Sequence, residues 1–319
     1  MPASIQTFID PGEFGAAMCP SSVELIATTR GQFVGEIVDI KLPRLLLHRL
    51  RLSLPFVAHV QHPADRTYIA FIADKFAPPH TVVGTEFQPG QVVQFGPAQI
   101  SDQHCEHAST WANISFDLTD LDVLGGLVGT GHLMPPAQPR MLVPHPARFE
   151  LLRKLHATAV DLARDDPHVL TQSETMRALE QALLQAMAAC VDSSDQRPQL
   201  AVQGRHAVIV SRFRQLLDAN VDQALYVPEV CSALGVSHRT LCSCCRDFLG
   251  MSPKRYFFLR RMFMVRSALR ASDPHTISVT DVVTRYGFWE LGRFAVRYKA
   301  LFNENPSITL RTNSADEAN

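Results

Sequence analysis

The chain has 319 residues, 46% hydrophobic and 19% charged, with a formal net charge of −1; this is the composition of an ordinary water-soluble globular protein long enough for two domains. The longest apolar runs, such as Leu45–Leu47 and Ala186–Val191, fall far short of the roughly 20 residues of a membrane span. The first thirty residues, which hold Asp10, Glu13 and Glu24, contain no uninterrupted apolar core and read as no secretory signal.

The small net charge hides a split. Residues 205–311 hold 16 Lys and Arg against 8 Asp and Glu, a net of +8, while the remainder holds 14 against 23, a net of −9. A basic module of that size attached to an acidic one is the electrostatic footprint of a nucleic-acid binder, although a solvated basic surface gives the same count. Seven cysteines, four of them within Cys231–Cys245, have no disulfide-framework spacing and suit a reducing cytoplasm.

In chain order, the first expected elements are short strands: Phe33–Leu42, Arg44–Leu52, Tyr68–Ala73, Val92–Phe95 and Trp111–Phe116. Breakers at Pro43, Pro55, Pro63, Pro78-Pro79, Pro89-Gly90 and Gly96-Pro97 separate them, a texture that predicts an antiparallel sandwich or barrel. Asp117–Pro146, rich in Gly and Pro, reads as irregular. Two amphipathic helices follow. One carries Phe149, Leu152, Leu155 and Leu162 and is closed by Pro167; the other, about Gln172–Cys190, carries Met176, Leu179, Leu183, Leu184 and Met187 on one face. They either cover their own sheet or pair with a second subunit. The polar stretch Asp192–Gln203, which includes Pro198, reads as an interdomain linker. Beyond it the chain reads as helical to about Leu310, with a frayed tail at Thr312–Asn319.

The last hundred residues repeat one pattern. A short helix at Val227–Leu234 turns at Gly235-Val236 and restarts at the capping residue Ser237, sending Leu241, Cys244, Cys245 and Phe248 inward. His238, Arg239, Cys242, Ser243 and Arg246 face outward, Gly250 ends the helix and Pro253 begins the next. The second copy runs Val279–Tyr286, turns at Gly287-Phe288 and restarts near Trp289-Glu290, with Phe294, Tyr298 and Leu301 or Phe302 inward. Leu291, Gly292, Arg293, Val296 and Arg297 lie outward or at its N-terminal end. Asn303 and Pro306 stand where the first copy has Gly250 and Pro253. A long helix of about Pro253–Arg270 joins the copies, with Tyr256, Leu259, Met262 or Phe263, and Leu269 as its spine. The second helix of such a unit is a probe of the width the DNA major groove admits. Two probes on a stiff connector could enter successive grooves roughly 34 Å apart.

Phe248-Leu249-Gly250-Met251-Ser252-Pro253, followed by Tyr256 and Arg260-Arg261-Met262, resembles the centre of the AraC/XylS-type DNA-binding domain. So does Arg285-Tyr286-Gly287-Phe288 followed by Phe294, Tyr298-Lys299, Phe302 and Pro306. The resemblance covers about residues 205–311; more loosely, Gly84, the Gly90 turn and Trp111 look like the strand-rich sensor domains often fused to this module. It implies that Arg239, Cys242 and Ser243 are base-facing in the first reading helix, and Leu291, Gly292, Arg293 and Val296 in the second. It further implies an effector-responsive activator that binds double-stranded promoter DNA and contacts RNA polymerase, dimeric through its N-terminal region. Arg239 and Arg293 are candidates for bidentate guanine contacts, and Leu291 and Val296 for thymine methyls; a phosphate contact or a solvated charge is the alternative for each arginine. The chain departs from the family pattern at Cys231 and Val283, where Ala is usual, at Cys245, where an aromatic is, and at Asn303, often Gly. The expected organisation is a multidomain α+β chain. It has a cupin-like or barrel-like sensing and dimerisation domain with its two helices at 1–191, a linker at 192–204, an all-α double helix-turn-helix domain at 205–311 and a tail at 312–319.

Two other chemistries compete with this reading. Cys231, Cys242, Cys244 and Cys245 invite a zinc or redox site, but three fall within one helical turn, whereas structural zinc takes ligand pairs from turns; they read as small apolar side chains plus one exposed thiol. The histidines His48, His59, His62, His80, His104 and His107 invite a cupin metal enzyme. Yet the i, i+3 spacing of His104 and His107 sends the two rings to opposite faces of a strand. A pocket for a small effector is the better reading, with His48, Arg49 and Arg51 as possible anchors, and no enzyme activity or cofactor is expected.

Overall fold

The computed structural model describes residues 2–194, 204–220 and 225–316. It divides into two compact units, Met1–Leu25 with Phe33–Val202, and Ile26–Gln32 with Gln203–Asn319. Among the described residues no helix is long and apolar enough to cross a membrane.

The first unit runs β1 (Ala3–Phe8), α1 (Pro11–Ala16), β2 (Ser22–Ala27), β3 (Gly35–Lys41), β4 (Leu45–Leu52), β5 (Phe56–Gln61), β6 (Arg66–Ile72), β7 (His80–Val82), β8 (Thr85–Phe87), β9 (Val92–Phe95), β10 (Ile100–Cys105), β11 (Ser109–Asp117), α2 (Leu121–Val128), α3 (Thr130–Leu133), β12 (Arg140–Leu142), α4 (Pro146–Asp165) and α5 (Ser173–Asp192). Seven strands form one sheet in the order β1-β3-β4-β11-β6-β9-β12, and five form another in the order β2-β5-β10-β7-β8. The strand-rich expectation is thus met by two sheets. The larger has both faces covered. Val38, Ile40, Leu47, Phe71 and Ile114 share a core with Leu152 and Val160 of α4 and with Leu183, Leu184 and Met187 of α5. The alternate phase, Ile37, Leu50, Tyr68, Ala70 and Trp111, packs with Phe56 and Ala58 of the smaller sheet. Each buried Leu or Phe side chain contributes about 1.5–3 kcal/mol. Burial on both sides is why β6 reads as an unbroken apolar run rather than an alternation. Of the two partners open to α4 and α5, the structure gives them their own sheet.

Four expectations are corrected. Asp117–Pro146 is not irregular: it holds α2, α3 and β12. Leu124 of α2 is fully buried in the sheet–helix core, so tertiary packing overrides the weak helix propensity of the Gly125-Gly126 pair. Asp192 is the last residue of α5 rather than the first of a linker, and the rest of that linker from 195 to 203 lies outside the described residues. Helix α12 (Pro306–Asp316) continues past Thr312 into the expected tail, of which 317–319 lie outside the described residues. His48, Arg49 and Arg51 do not line the cavity between the two sheets: His48 is buried 3.1 Å from Asp39, Arg49 is half-buried and Arg51 is exposed.

The second unit is helical: α6 (Gly204–Ala219), α7 (Val227–Leu234), α8 (His238–Leu249), α9 (Pro253–Arg270), α10 (Val279–Arg285), α11 (Leu291–Phe302) and α12. Tyr256, Leu259, Met262, Val265 and Leu269 form the buried spine of α9, with Phe263 only half-buried. Arg214 of α6, itself buried, donates to the Tyr256 hydroxyl and lies 5.5 Å from its ring.

Candidate nucleic-acid interface

Each α-turn-α unit is set by local chemistry. In the first, the Glu229 carboxylate accepts the Tyr226 N–H at 3.1 Å, satisfying a donor that the start of α7 would leave unpaired. Gly235 ends α7 at φ +65°, with open space where a Cβ would stand, so glycine is required there for backbone conformation and not for room. The Val236 N–H then reaches back to the Cys231 carbonyl at 3.0 Å. Ser237 caps α8 by accepting the Thr240 N–H at 3.1 Å.

The second unit repeats the carboxylate contact at its first helix and the turn bond, but α11 has no side-chain cap. Ser278 and Asp281 form a reciprocal capping box, Ser278 Oγ accepting from the Asp281 N–H at 3.2 Å and the Asp281 carboxylate from the Ser278 N–H at 3.0 Å. The Ser278 donors hold the Asp281 carboxyl below its usual range. Gly287 has φ +71°, and the Phe288 N–H returns to the Val283 carbonyl at 3.2 Å, the counterpart of the bond from Val236 to Cys231. Arg261 of α9 donates from Nε to the Tyr286 carbonyl at 2.8 Å and lies 4.3 Å from the Phe288 ring, clamping this turn to the connecting helix. Helices α8 and α11 are both 12 residues long and end in left-handed backbone, Gly250 at φ +66° and Asn303 at φ +59°. Asn tolerates that conformation better than other side chains. The departures at Cys231 and Val283 are absorbed without loss of the turn bonds, and Val283 is wholly buried.

On α8, Leu241, Cys244, Cys245 and Phe248 are buried, as expected, together with Leu249. Arg239, Ser243 and Arg246 are exposed, and at i, i+4 and i+7 they share one face. Cys242 lies between them but is only half-buried, its Sγ 3.6 Å from His238 Nε2. Burial pushes the Cys231 and Cys244 thiols up. On α11, Phe294 and Tyr298 are buried, while Leu291, Gly292, Arg293, Val296 and Arg297 are exposed, Val296 at 70%. Arg293 pairs with Glu290 at 2.8 Å, both side chains exposed; such a pair is worth about 1 kcal/mol or less and yields readily to a better anion. The Arg297 guanidinium lies 5.4 Å from the Phe258 ring. On α8 and α11 the residues predicted to face outward are exposed, except Cys242, which is half-buried. One residue has no role in the sequence reading: Trp289, 74% exposed on the turn just before α11. Its signal is an aromatic on the turn itself, where the helical pattern gives it no core to enter.

Among the described residues no group of three or more His, Cys, Asp or Glu is placed to hold a metal ion.

A family model described as a helix-turn-helix domain matches residues 230–312. The chain is 40% identical over 96 residues to the probable thc operon regulatory protein of Rhodococcus erythropolis, covering 30% of this chain and 29% of that protein. It is 32% identical over 100 residues to XylDLEGF operon transcriptional activator 3 of Pseudomonas putida, covering 31% and 30%. The chain thus spans under a third of the length of these curated relatives. Among solved structures, that of the AraC-like transcriptional activator CuxR aligns with 85% of this chain and 96% of its own at 14% identity and a TM-score of 0.42.

Proposed function

The C-terminal module belongs to the AraC/XylS family of helix-turn-helix domains, and from that premise we propose that this chain is a sequence-specific DNA-binding regulator of transcription that reads two adjacent major-groove boxes. The observation that carries the reading is the duplication. Two units with the same turn bonds and the same left-handed helix ends each present a helix whose exposed face holds an arginine at its N-terminal end. That is where a recognition helix meets base edges. Arg239 and Arg293 take guanines, Leu291 and Val296 take thymine methyls, Cys242, Ser243 and Gly292 allow close approach, and Arg297 steadies the backbone. The charge of +8 on residues 205–311 supplies the attraction to phosphate.

The organisation that fits is an acidic N-terminal domain (1–192) that senses a small molecule and dimerises, joined to a reader that begins with α6 at Gly204, working in the cytoplasm. The relatives named activators support activation as the sign of regulation, and contact with RNA polymerase is the proposed route. No catalytic role or cofactor is assigned.

Arg293→Ala should cost about 1–3 kcal/mol of binding and relax preference at one base pair of one box; Arg239→Ala should do the same in the other. Binding of each variant to a set of single-base operator variants measures this. Equal loss on every sequence would make that arginine a phosphate contact.

A further inference from the structure

Between the two sheets of the first unit lies a cavity that leaves about 60 Å³ to the centre of a water-sized sphere. That is ample for a few waters and about two fifths of the roughly 150 Å³ of an engineered apolar cavity that admits benzene. Its walls are aliphatic and aromatic, and among the described residues that line it there is no Asp, Glu, Lys or Arg. The polar groups are all neutral. His62 stacks on Phe95 at 4.5 Å and leans on Tyr68 at 4.7 Å, with neither ring nitrogen hydrogen-bonded. Burial pushes it down to about 4, so it is uncharged near neutrality. The Tyr68 hydroxyl is engaged by Ser21 at 3.3 Å. Gln103 donates its amide N–H to Ser101 at 3.1 Å, leaving its carbonyl oxygen uncommitted. Asn113 is half-buried on β11, in phase with the inward-facing Trp111, and its side-chain amide is engaged by no described residue.

An amide on the inward phase of an apolar strand is out of place in a core that only has to pack. Its donors and acceptor are unfavourable there unless something completes them. A neutral partner does so with one hydrogen bond. An ion does not, since every charge brought into these walls loses its hydration without a counter-charge.

We propose that this cavity binds a small uncharged molecule, largely apolar, that offers one hydroxyl, carbonyl or amide group to Asn113 and Gln103. This rests on the reading of the first unit as a small-molecule sensor and names the chemistry that it senses: neutral ligands, to the exclusion of carboxylates and ammonium ions. A single ring enters this space only if the unbranched Met18 thioether at the cavity wall swings aside.

The test uses the full chain with Trp289→Phe, which leaves Trp111, a lining residue, as its only tryptophan. Cyclohexanecarboxamide and cyclohexanol are titrated at neutral pH against cyclohexanecarboxylate and cyclohexylammonium, with Trp111 emission and thermal shift as readouts. The neutral pair should bind saturably, and the charged pair at least about a hundredfold more weakly, since neither charge finds a partner inside. Asn113→Leu should weaken the carboxamide about tenfold and leave methylcyclohexane, which has no hydrogen-bonding group, unaffected; the ligand comparison in the unmodified pocket stands without that variant. Carboxylate binding as tight as carboxamide binding would overturn the proposal and leave the sensor reading in place. Saturable binding of none of the four up to millimolar concentration would overturn both.

Discussion

Tyr298→Ala should cost about 3–5 kcal/mol and unfold the second helix-turn-helix, abolishing recognition of one of the two boxes. Tyr298 is fully buried, with its ring centroid 5.5 Å from that of Phe294 and 4.6 Å from that of Phe302. Its hydroxyl lies 2.8 Å from Thr309 Oγ1, which in turn donates to Glu304 at 2.8 Å. Because the Thr309 hydrogen is committed to Glu304, Tyr298 is the donor, and burial pushes its phenol up to about 12. Glu304 closes the chain onto Arg266 of α9 at 2.6 Å, and that guanidinium lies 4.7 Å from the Phe302 ring. One side chain therefore ties α11, α12 and α9 together. Tyr298→Phe keeps the ring and loses one hydrogen bond, about 1 kcal/mol. Urea unfolding with hydrogen exchange separates the outcomes. Equal, small losses for both variants would show that the second unit does not depend on this core.

Acidification should destabilise the first unit steeply between about pH 6.5 and pH 4. His62, His80 and His156 are buried, and desolvation is the main cause that pushes each down to about 4; for His80 the neighbouring His104 and His107 add to it, and for His156 Arg49 and His48 do, against two backbone hydrogen bonds. The folded-state value lies below the unfolded one, so the unfolded chain takes up protons that the native unit refuses. The stability is complete above the unfolded value, falls as pH drops towards the folded value, and levels off beneath it. An upper bound is about 3 kcal/mol for each histidine, and the total is comparable with the whole stability of a domain. Burial, and then Arg66, pushes His48 down to about 4 as well, and Asp39 at 3.1 Å opposes that shift, so its share of the effect is smaller. Thermal unfolding followed at stepped pH measures the effect, and His62→Leu should lower the acid midpoint. A melting temperature unchanged from pH 7 to about pH 4.5 would contradict this account of the buried rings.

Where local chemistry alone dictates structure, the sequence is sufficient. Helix α7 begins and ends at the residues its periodicity and Gly235 indicate, and β9 coincides with Val92–Phe95. The inward residues of α8 and α11 follow from a 3.6-residue period, fixed in α8 by the Ser237 cap. What the period cannot name is the partner: it shows that α4 and α5 bury a face, and only the packed structure shows Val38, Ile40 and Phe71 beneath them. Strand β10, ISDQHC, has too much polarity to read as a strand, because its backbone pairs with β5 and β7 do the work of holding it. Cys242 reads as outward by phase and is half-covered, because His238 one turn earlier folds onto it. Asn113 passes unremarked in the sequence, since its oddity is the inward phase of β11 and that depends on knowing which face of the strand is covered.

The central claim, a reader of two boxes, is tested most directly by selecting duplexes from a random library with the full chain and titrating salt on the winners. The account predicts two recurrent boxes about one helical turn apart, roughly 10 base pairs centre to centre. Affinity should fall with a log–log salt slope of about −5 to −9, as expected for roughly 6–10 neutralised phosphates. Combining Arg239→Ala with Arg293→Ala should flatten the preference in both boxes. Enrichment of no sequence, or binding that ignores salt, would contradict the claim.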